Sequence, residues 1–140
     1  MTTPNPDDAA IREALSRART IAVVGISDRP DRPSHEVASY LKAAGYRIIP
    51  VNPVLAGKEI LGERCVASLA EIGHGVDIVD VFRRAEAVPD VVDDALRVDA
   101  PLLWLQLGIV NEDAAARARA AGRAVVQDRC IQIEHVRLLR

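Results

Sequence analysis

The chain has 140 residues, a net charge of −2, 49 % hydrophobic and 27 % charged residues. This length suits one domain with one sizeable core, and the composition excludes a disordered chain. The charge supplies no basic footprint for duplex DNA, and 3 % aromatic residues leave too few stacking platforms for single-stranded nucleic acid. We therefore expect a globular protein that binds no nucleic acid.

Two further features bear on the compartment. Residues 1–8 lack the basic region and apolar stretch of a secretory signal, and no apolar run approaches the roughly 20 residues that span a bilayer. Cys65 and Cys130 form neither a disulfide framework nor a metal-ligand spacing. We expect a cytoplasmic protein without membrane contact or a bound metal.

The first predicted elements are a helix and a buried strand. The helix begins near Asp7 or Asp8, whose carboxylates suit a helix N-terminus, and Ile11 and Leu15 give it a narrow apolar stripe. Residues 20–25 then form a continuous apolar run that ends in glycine. Such a run is typical of a strand covered on both faces, as in a parallel sheet.

Helices and strands alternate along the rest of the chain. A second helix is predicted from Ser34, as its N-cap, to Ala44, with Gly45 ending it. The later strands are predicted at 46–51, 76–82, 102–107 and 123–128, and the later helices at 66–72, 88–98 and 112–121.

This alternation predicts an α/β fold: a single doubly wound Rossmann-like domain with a five-stranded parallel sheet and helices on both faces. We expect one domain over residues 1–140, with 1–18 as an N-terminal helical extension. The expected strand order is 3-2-1-4-5, with the direction of winding reversing between the first and fourth strands. Ligands of such sheets bind at that reversal, outside the carboxyl ends of the strands.

The loop after the first strand has features of an anion site. Gly25 permits a sharp turn and a close ligand approach, Ser27 offers a hydroxyl, and the helix that starts at Ser34 presents unpaired N–H groups. The alternative is an ordinary strand–turn–helix in which the glycine only makes the bend.

Other nucleotide-binding and catalytic motifs are missing. The second and third glycines of a dinucleotide fingerprint are replaced by Ser27 and Pro30, and the second strand ends in Asn52 where an acidic residue would hold a ribose. The sequence also has no P-loop and no Gly-x-Ser-x-Gly nucleophile elbow. A standard NAD site is disfavoured, and no catalytic constellation is predicted.

Arginines recur in loops expected to face the crevice. They are Arg29, Arg32, Arg83, Arg84 and Arg129. Arginines at this position could pair bidentately with phosphate oxygens. The alternative is that they pair with neighbouring Asp28, Asp31 or Asp128.

Six short motifs, in this order and spacing, carry a family resemblance. They are Val-Val-Gly-Ile-Ser27, Pro33-Ser-His-Glu-Val37, Gly45-Tyr-Arg-Ile-Ile-Pro-Val-Asn-Pro53, Val79-Asp-Val-Phe-Arg-Arg84, Trp104-Leu-Gln-Leu-Gly108 and Asp128-Arg-Cys130. The chain resembles the small stand-alone CoA-binding proteins, whose domain is similar to the amino-terminal domain of the succinyl-CoA synthetase alpha subunit. The resemblance runs from about Arg19 to Glu134.

The resemblance implies a set of ligand-binding residues. The CoA phosphates would be held by the turn Gly25, Ile26, Ser27 and by the helix start at Ser34, with Arg32 nearby. The adenosine would be bordered by Asn52 and Pro53, and the adenine and 3′-phosphate region would be lined by Phe82 and Arg83. The pantetheine path would be bordered by Gly108 and Cys130. Without the resemblance, the sequence alone predicts that Phe82 is a core residue and that Cys130 is an inert, half-buried thiol.

The resemblance also implies the function. We expect non-catalytic binding of coenzyme A or acyl-CoA, because the histidine that succinyl-CoA synthetases phosphorylate lies in a second domain that these residues do not include. Two alternatives remain open: a nucleotide-dependent oxidoreductase, or a subunit of an acyl-CoA ligase. A protein partner or a homo-oligomer also remains possible.

Overall fold

A computed structural model describes residues 3–140, in which helices and strands alternate. The helices are α1 (Asp8–Arg17), α2 (Pro33–Ala43), α3 (Val88–Leu96), α4 (Glu112–Ala120) and α5 (Ile131–Leu139). The strands are β1 (Thr20–Val24), β2 (Arg47–Val51), β3 (Glu59–Ile60), β4 (Glu63–Arg64), β5 (Ile78–Val81), β6 (Leu102–Leu105) and β7 (Ala124–Val126).

The long strands form a five-stranded sheet in the order β2-β1-β5-β6-β7, and every neighbouring pair is parallel. This confirms the predicted α/β fold with a parallel sheet and helices on both faces. The carboxyl ends of all five strands therefore meet at one edge, which we call the carboxyl edge.

The predicted strand order is wrong. Counted along the long strands, the order is 2-1-3-4-5, so the winding reverses between β1 and β5. The cause lies in the segment after β2. Val66 forms a parallel bridge with Val51, and its N–H donates to the Pro50 carbonyl at 3.0 Å. Because this segment occupies the outer edge of β2, the next long strand pairs on the other side of β1.

Two apolar layers cover the sheet. Alternate residues of β1 show the division: Ala22 and Val24 pack with α3 and α4, whereas Ile21 and Val23 pack with α1, α2 and α5. Trp104 of β6 is fully buried on the second side. Neighbouring side chains of a strand point to opposite faces, which produces this two-sided core.

Several element boundaries differ from expectation. The predicted N-cap was Ser34, but the N-cap is Arg32, two residues earlier, and the helix begins at Pro33. Proline suits that position because the first helical N–H has no partner within the helix. The helix predicted at 66–72 is only a short 3₁₀ turn at Leu69–Ile72. The β3–β4 hairpin and α5 were not predicted.

Helix α1 begins where the sequence indicates. Asp7 is its N-cap and accepts a hydrogen bond from the Ala10 N–H at 2.9 Å. Its apolar stripe, Ile11 and Leu15, is buried in the layer shared with α2 and α5. Residues 1 and 2 of the predicted extension lie outside the described residues. Among residues 3–140, no helix combines the length and apolarity that crossing a membrane requires.

Candidate functional site

The centre of the carboxyl edge is built where β1 and β5 end side by side. Gly25 has a φ of +86°, and its N–H donates to the Val51 carbonyl at 2.8 Å. A Cβ at this position would lie 2.4 Å from the Phe82 carbonyl oxygen and 2.9 Å from Arg83 Cδ. Only glycine therefore fits between the two strand ends.

The turn after Gly25 is fixed by two serine hydroxyls. Ser34 Oγ accepts a hydrogen bond from the Ser27 N–H at 2.9 Å, and Ser27 Oγ accepts one from the Arg29 N–H at 3.1 Å. Ile26, which lies between Gly25 and Ser27, is fully buried. These hydroxyls shape the loop and connect it to the first turn of α2.

The tip of α2 contains an amide without a hydrogen-bond partner among residues 3–140. Arg32, its N-cap, makes no side-chain capping bond, and Pro33 has no N–H. The N–H groups of His35 and Glu36 both donate to the Arg32 carbonyl at 3.0 Å. Among residues 3–140, no acceptor is bonded to the Ser34 N–H. A helix N-terminus with an unpaired amide is a favourable place for an anion.

Asn52 joins the first loop to the second. Its Nδ2 donates to the Ile26 carbonyl at 2.9 Å, and its Oδ1 accepts from the Val54 N–H at 2.9 Å. The side chain that was predicted to border the adenosine is thus used to hold two loops together. The adjacent Pro53 is exposed and lines a small cleft.

The crevice arginines divide into two groups. Arg29 lies 3.6 Å from Asp31, as the pairing alternative expected, whereas Arg129 lies 3.6 Å from Glu134, a partner that was not predicted. The others are Arg32, Arg83 and Arg84; all are exposed, and no carboxylate of residues 3–140 lies within salt-bridge distance of them. These three guanidinium groups remain available to an external anion.

Arg83 lines two clefts at the carboxyl edge. The larger, which we call the carboxyl-edge groove, has a volume of about 540 Å³. It is lined mainly by apolar side chains, and its walls include Pro33, Phe82, Arg83, Gln106, Cys130 and Ile133. The smaller cleft, of about 160 Å³, lies beside Pro53 and Ser68. Arg83 lines both clefts and stands between them.

The two residues predicted at the pantetheine path lie in different places. Cys130 is half-buried, directly precedes α5 and lines the carboxyl-edge groove. Gly108 has a φ of +84°, and its N–H donates to Asp128 Oδ1 at 2.7 Å, but it does not line the groove. The structure thus brings Phe82, Arg83 and Cys130 together around one cavity, with the α2 tip at its rim.

Sequence reasoning missed two polar residues near this site. Gln106 follows β6, is 5 % exposed and lines the groove; its signal was a polar residue directly after an apolar strand. Asp80 is completely buried within β5, and neither carboxylate oxygen has a hydrogen-bond partner. Burial raises the pKa of the Asp80 carboxyl well above its usual range.

A further apolar cavity of about 380 Å³ lies at the opposite edge of the sheet, against α1 and beside Asp77 and Pro101. None of the predicted ligand-binding residues lines it. The arginine-bearing groove at the carboxyl edge therefore remains the candidate site.

Comparison with known proteins identifies relatives over nearly the whole chain. The family model described as CoA binding domain matches residues 19–136. The Bacillus subtilis (strain 168) protein YneT is 50 % identical over 131 residues, which are 94 % of this chain and 96 % of YneT. The family-model match includes every residue that lines the carboxyl-edge groove.

Solved structures show the same fold. The structure of cell-free ID.343 from Thermus thermophilus is 44 % identical with a TM-score of 0.93, covering 96 % of this chain and 100 % of that one. A hypothetical protein from Pyrococcus horikoshii OT3 is 36 % identical with a TM-score of 0.92, covering 100 % and 99 %.

Proposed function

Because this chain belongs to the CoA-binding domain family, we propose that it binds coenzyme A or acyl-CoA at the carboxyl edge of its sheet without catalysing a reaction. One observation carries the proposal. The unpaired guanidinium groups of Arg83 and Arg84 line an apolar groove, and the uncapped tip of α2, with Arg32 as its N-cap, lies at the same groove.

The polar part of this arrangement suits the phosphates of CoA. An unpaired helix amide and planar guanidinium groups are strong donors to phosphate oxygens. The whole chain carries a net charge of −2, so the attraction for a polyanion is local and depends on these few groups. We assign the diphosphate to Ser34 N and Arg32, and the 3′-phosphate to Arg83.

The apolar part suits the rest of the ligand. Arg83 stands between the small cleft beside Pro53 and the larger groove that contains Phe82 and Cys130. A ligand held by its phosphates at Arg83 can place its base in one cleft and its pantetheine arm in the other. This division matches a molecule with an anionic middle and two less polar ends.

The contacts of the candidate nucleophiles support binding without chemistry. The hydroxyls of Ser27 and Ser34 both accept hydrogen bonds from backbone amides. In the part of the chain that the structure describes, no histidine or carboxylate is hydrogen-bonded to either hydroxyl or to the Cys130 thiol. A side-chain nucleophile normally requires such a base.

Isothermal titration with CoA, dephospho-CoA and NAD tests the binding proposal. We expect CoA to bind most tightly, with dephospho-CoA about 10-fold to 100-fold weaker, because a charge-assisted contact to the 3′-phosphate contributes about 1.5–3 kcal/mol. NAD should bind more weakly still, since it lacks both the 3′-phosphate and the pantetheine arm. Equal, weak binding of all three ligands would overturn the proposal.

Incubation of the protein with acyl-CoA, followed by quantification of free CoA thiol, tests the absence of catalysis. We expect no release above the rate in buffer. Multiple turnovers that depend on protein concentration would show that the protein is an enzyme.

A further inference from the structure

Gln106 has one polar atom that the protein leaves unused. Its backbone N–H donates to the Val81 carbonyl at 3.3 Å, and its backbone carbonyl accepts from the Ile109 N–H at 2.9 Å. Its Oε1 accepts from the Ile131 N–H at 3.1 Å. Among residues 3–140, Nε2 donates to no group. Gln106 is only 5 % exposed, yet it lines the carboxyl-edge groove.

The orientation of this amide follows from its neighbour. The Ile131 N–H is a donor only, so the atom of Gln106 that it contacts must be the oxygen. Nε2 then occupies the other arm of the amide, and it is the remaining polar atom with which Gln106 can meet a ligand in the groove. Nε2 is not fully buried, so it reaches the groove and can donate there to an acceptor from outside the chain.

The surroundings of that donor are apolar. Phe82 and Gln106 directly follow the paired residues Val81 and Leu105, so they lie side by side at the ends of β5 and β6. The rim of the groove includes Leu107, which is 64 % exposed, and Ile133, which is 56 % exposed. Two large apolar side chains exposed at a cavity rim indicate an apolar occupant that covers them.

We propose that the carboxyl-edge groove holds the acyl end of an acyl-CoA, with Gln106 Nε2 donating to the thioester carbonyl oxygen. This inference rests on the proposed function, because the phosphates fix the ligand at the Arg83 side of the groove. Free CoA ends in a thiol and leaves Leu107 and Ile133 uncovered, whereas an acyl chain buries both. The protein is therefore selective for acyl-CoA over free CoA.

A ligand series tests the selectivity. Titration calorimetry would compare CoA with acetyl-CoA, butyryl-CoA, hexanoyl-CoA and S-hexyl-CoA, the thioether that lacks the carbonyl. We expect affinity to rise with chain length, by up to about fourfold for each CH₂ that becomes buried. Hexanoyl-CoA should bind about fivefold more tightly than S-hexyl-CoA, which corresponds to one neutral hydrogen bond.

A matched pair of variants tests the role of Gln106. Gln106→Glu keeps an oxygen for the Ile131 N–H but removes the donor when ionised. Gln132→Glu adds the same charge on the first turn of α5, outside the groove lining. We expect Gln106→Glu to abolish the preference for hexanoyl-CoA over S-hexyl-CoA, while Gln132→Glu keeps it.

The outcomes separate the two proposals. Failure of wild-type protein to bind any of these ligands would refute CoA binding itself. Binding of CoA with no dependence on the acyl group would refute only the acyl site. If Gln106→Glu weakens the binding of all ligands equally, and by more than Gln132→Glu does, Gln106 Nε2 donates to a pantetheine carbonyl and the thioester assignment is wrong. If Gln106→Glu does not fold, the wild-type comparison of hexanoyl-CoA with S-hexyl-CoA decides the question.

Discussion

Arg83 is the residue that connects the two parts of the proposed site. It is exposed, lines both clefts at the carboxyl edge and has no carboxylate partner among the residues described. Its side chain also lies against Gly25, whose absent Cβ would approach Arg83 Cδ to 2.9 Å. The small size of one residue thus determines where the guanidinium of another can lie.

Arg83→Ala should weaken CoA binding by about 10-fold or more and dephospho-CoA binding much less, since a charge-assisted phosphate contact is lost only with the first ligand. Titration calorimetry with both ligands measures the difference. Arg17→Ala, which removes an equal charge from α1 at the other edge, should change neither affinity by more than about twofold. Equal losses for CoA and dephospho-CoA in Arg83→Ala would show that this residue does not read the 3′-phosphate.

Gly25 and Gly108 provide a controlled comparison of two glycines with the same backbone conformation. Their φ angles are +86° and +84°, but a Cβ would meet the Phe82 carbonyl at 2.4 Å in the first case and nothing within 4 Å in the second. Both alanine variants should lose about 1–2 kcal/mol of unfolding free energy from the left-handed backbone. Gly25→Ala should lose more, because the strand ends must also separate.

Urea denaturation of the two variants measures this difference. CoA affinity should fall in Gly25→Ala, since the separation of β1 and β5 displaces Arg83. Equal unfolding free energies would contradict the steric account.

The sequence could indicate which arginines lie near the site but not which are free. All five were predicted at the crevice from their positions after strands. Whether Arg29 meets Asp31, or Arg129 meets Glu134, depends on loop conformation and on α5. Spacing along the chain does not contain that information.

At the scale of elements, the first loop and α2 act as one unit. Ser34 Oγ holds the Ser27 N–H, and this contact keeps the turn beside the helix tip where the Ser34 N–H is unpaired. The anion site therefore depends on an internal hydrogen bond between a loop and a helix.

Ser34→Ala should weaken CoA binding by about fivefold, which corresponds to about 1 kcal/mol for the lost hydrogen bond. The loop would then have to be ordered by the ligand. Ser16→Ala is the control, because it deletes a hydroxyl that donates to the Glu13 carbonyl on the exposed side of α1. Unchanged CoA affinity in Ser34→Ala, measured by calorimetry, would disprove the coupling between loop and helix.

Strand β5 carries the unpartnered Asp80 carboxyl in its middle. Its folded-state pKa is raised by burial, while an aspartate in the unfolded chain titrates near a pKa of about 3.9. Above that pH the unfolded state releases this proton and the folded state retains it, so this group makes the folded state less stable as pH rises towards its raised pKa.

Asp80→Asn removes this titration. The free energy of unfolding of the variant, minus that of wild type, should increase as pH rises above about 4. Urea denaturation between pH 4 and pH 8 measures it. A difference that is independent of pH over this range would show that Asp80 is not a neutral, buried acid.

Element type was predictable from the sequence, but element order was not. Apolar runs such as 20–25 identified strands of the parallel sheet, because burial on both faces leaves little polar alternation. The position of β5 depended on Val66, whose bridge to Val51 closes the edge of β2. A single bridging residue leaves no periodic pattern. Helix α5 was missed although its buried Ile131 completes the groove side of the core.

At the scale of the whole molecule, the charge distribution matters more than the net charge. A chain with a net charge of −2 collects three unpaired arginines at one sheet edge, beside a groove of about 540 Å³. The opposite edge has its own cavity of about 380 Å³ beside Asp77. Of these two cavities, the groove at the winding reversal is lined by Arg83 and Arg84, which have no carboxylate partner among residues 3–140, whereas Arg17 in the opposite cavity is paired with Glu13.

A crystal structure with bound CoA is the most direct measurement of ligand placement. We predict the diphosphate within hydrogen-bonding distance of the Ser34 N–H, the 3′-phosphate beside Arg83, and the pantetheine arm along the groove past Phe82 towards Cys130. Phosphates located away from the α2 tip, or CoA bound in the cavity beside Asp77, would contradict the account.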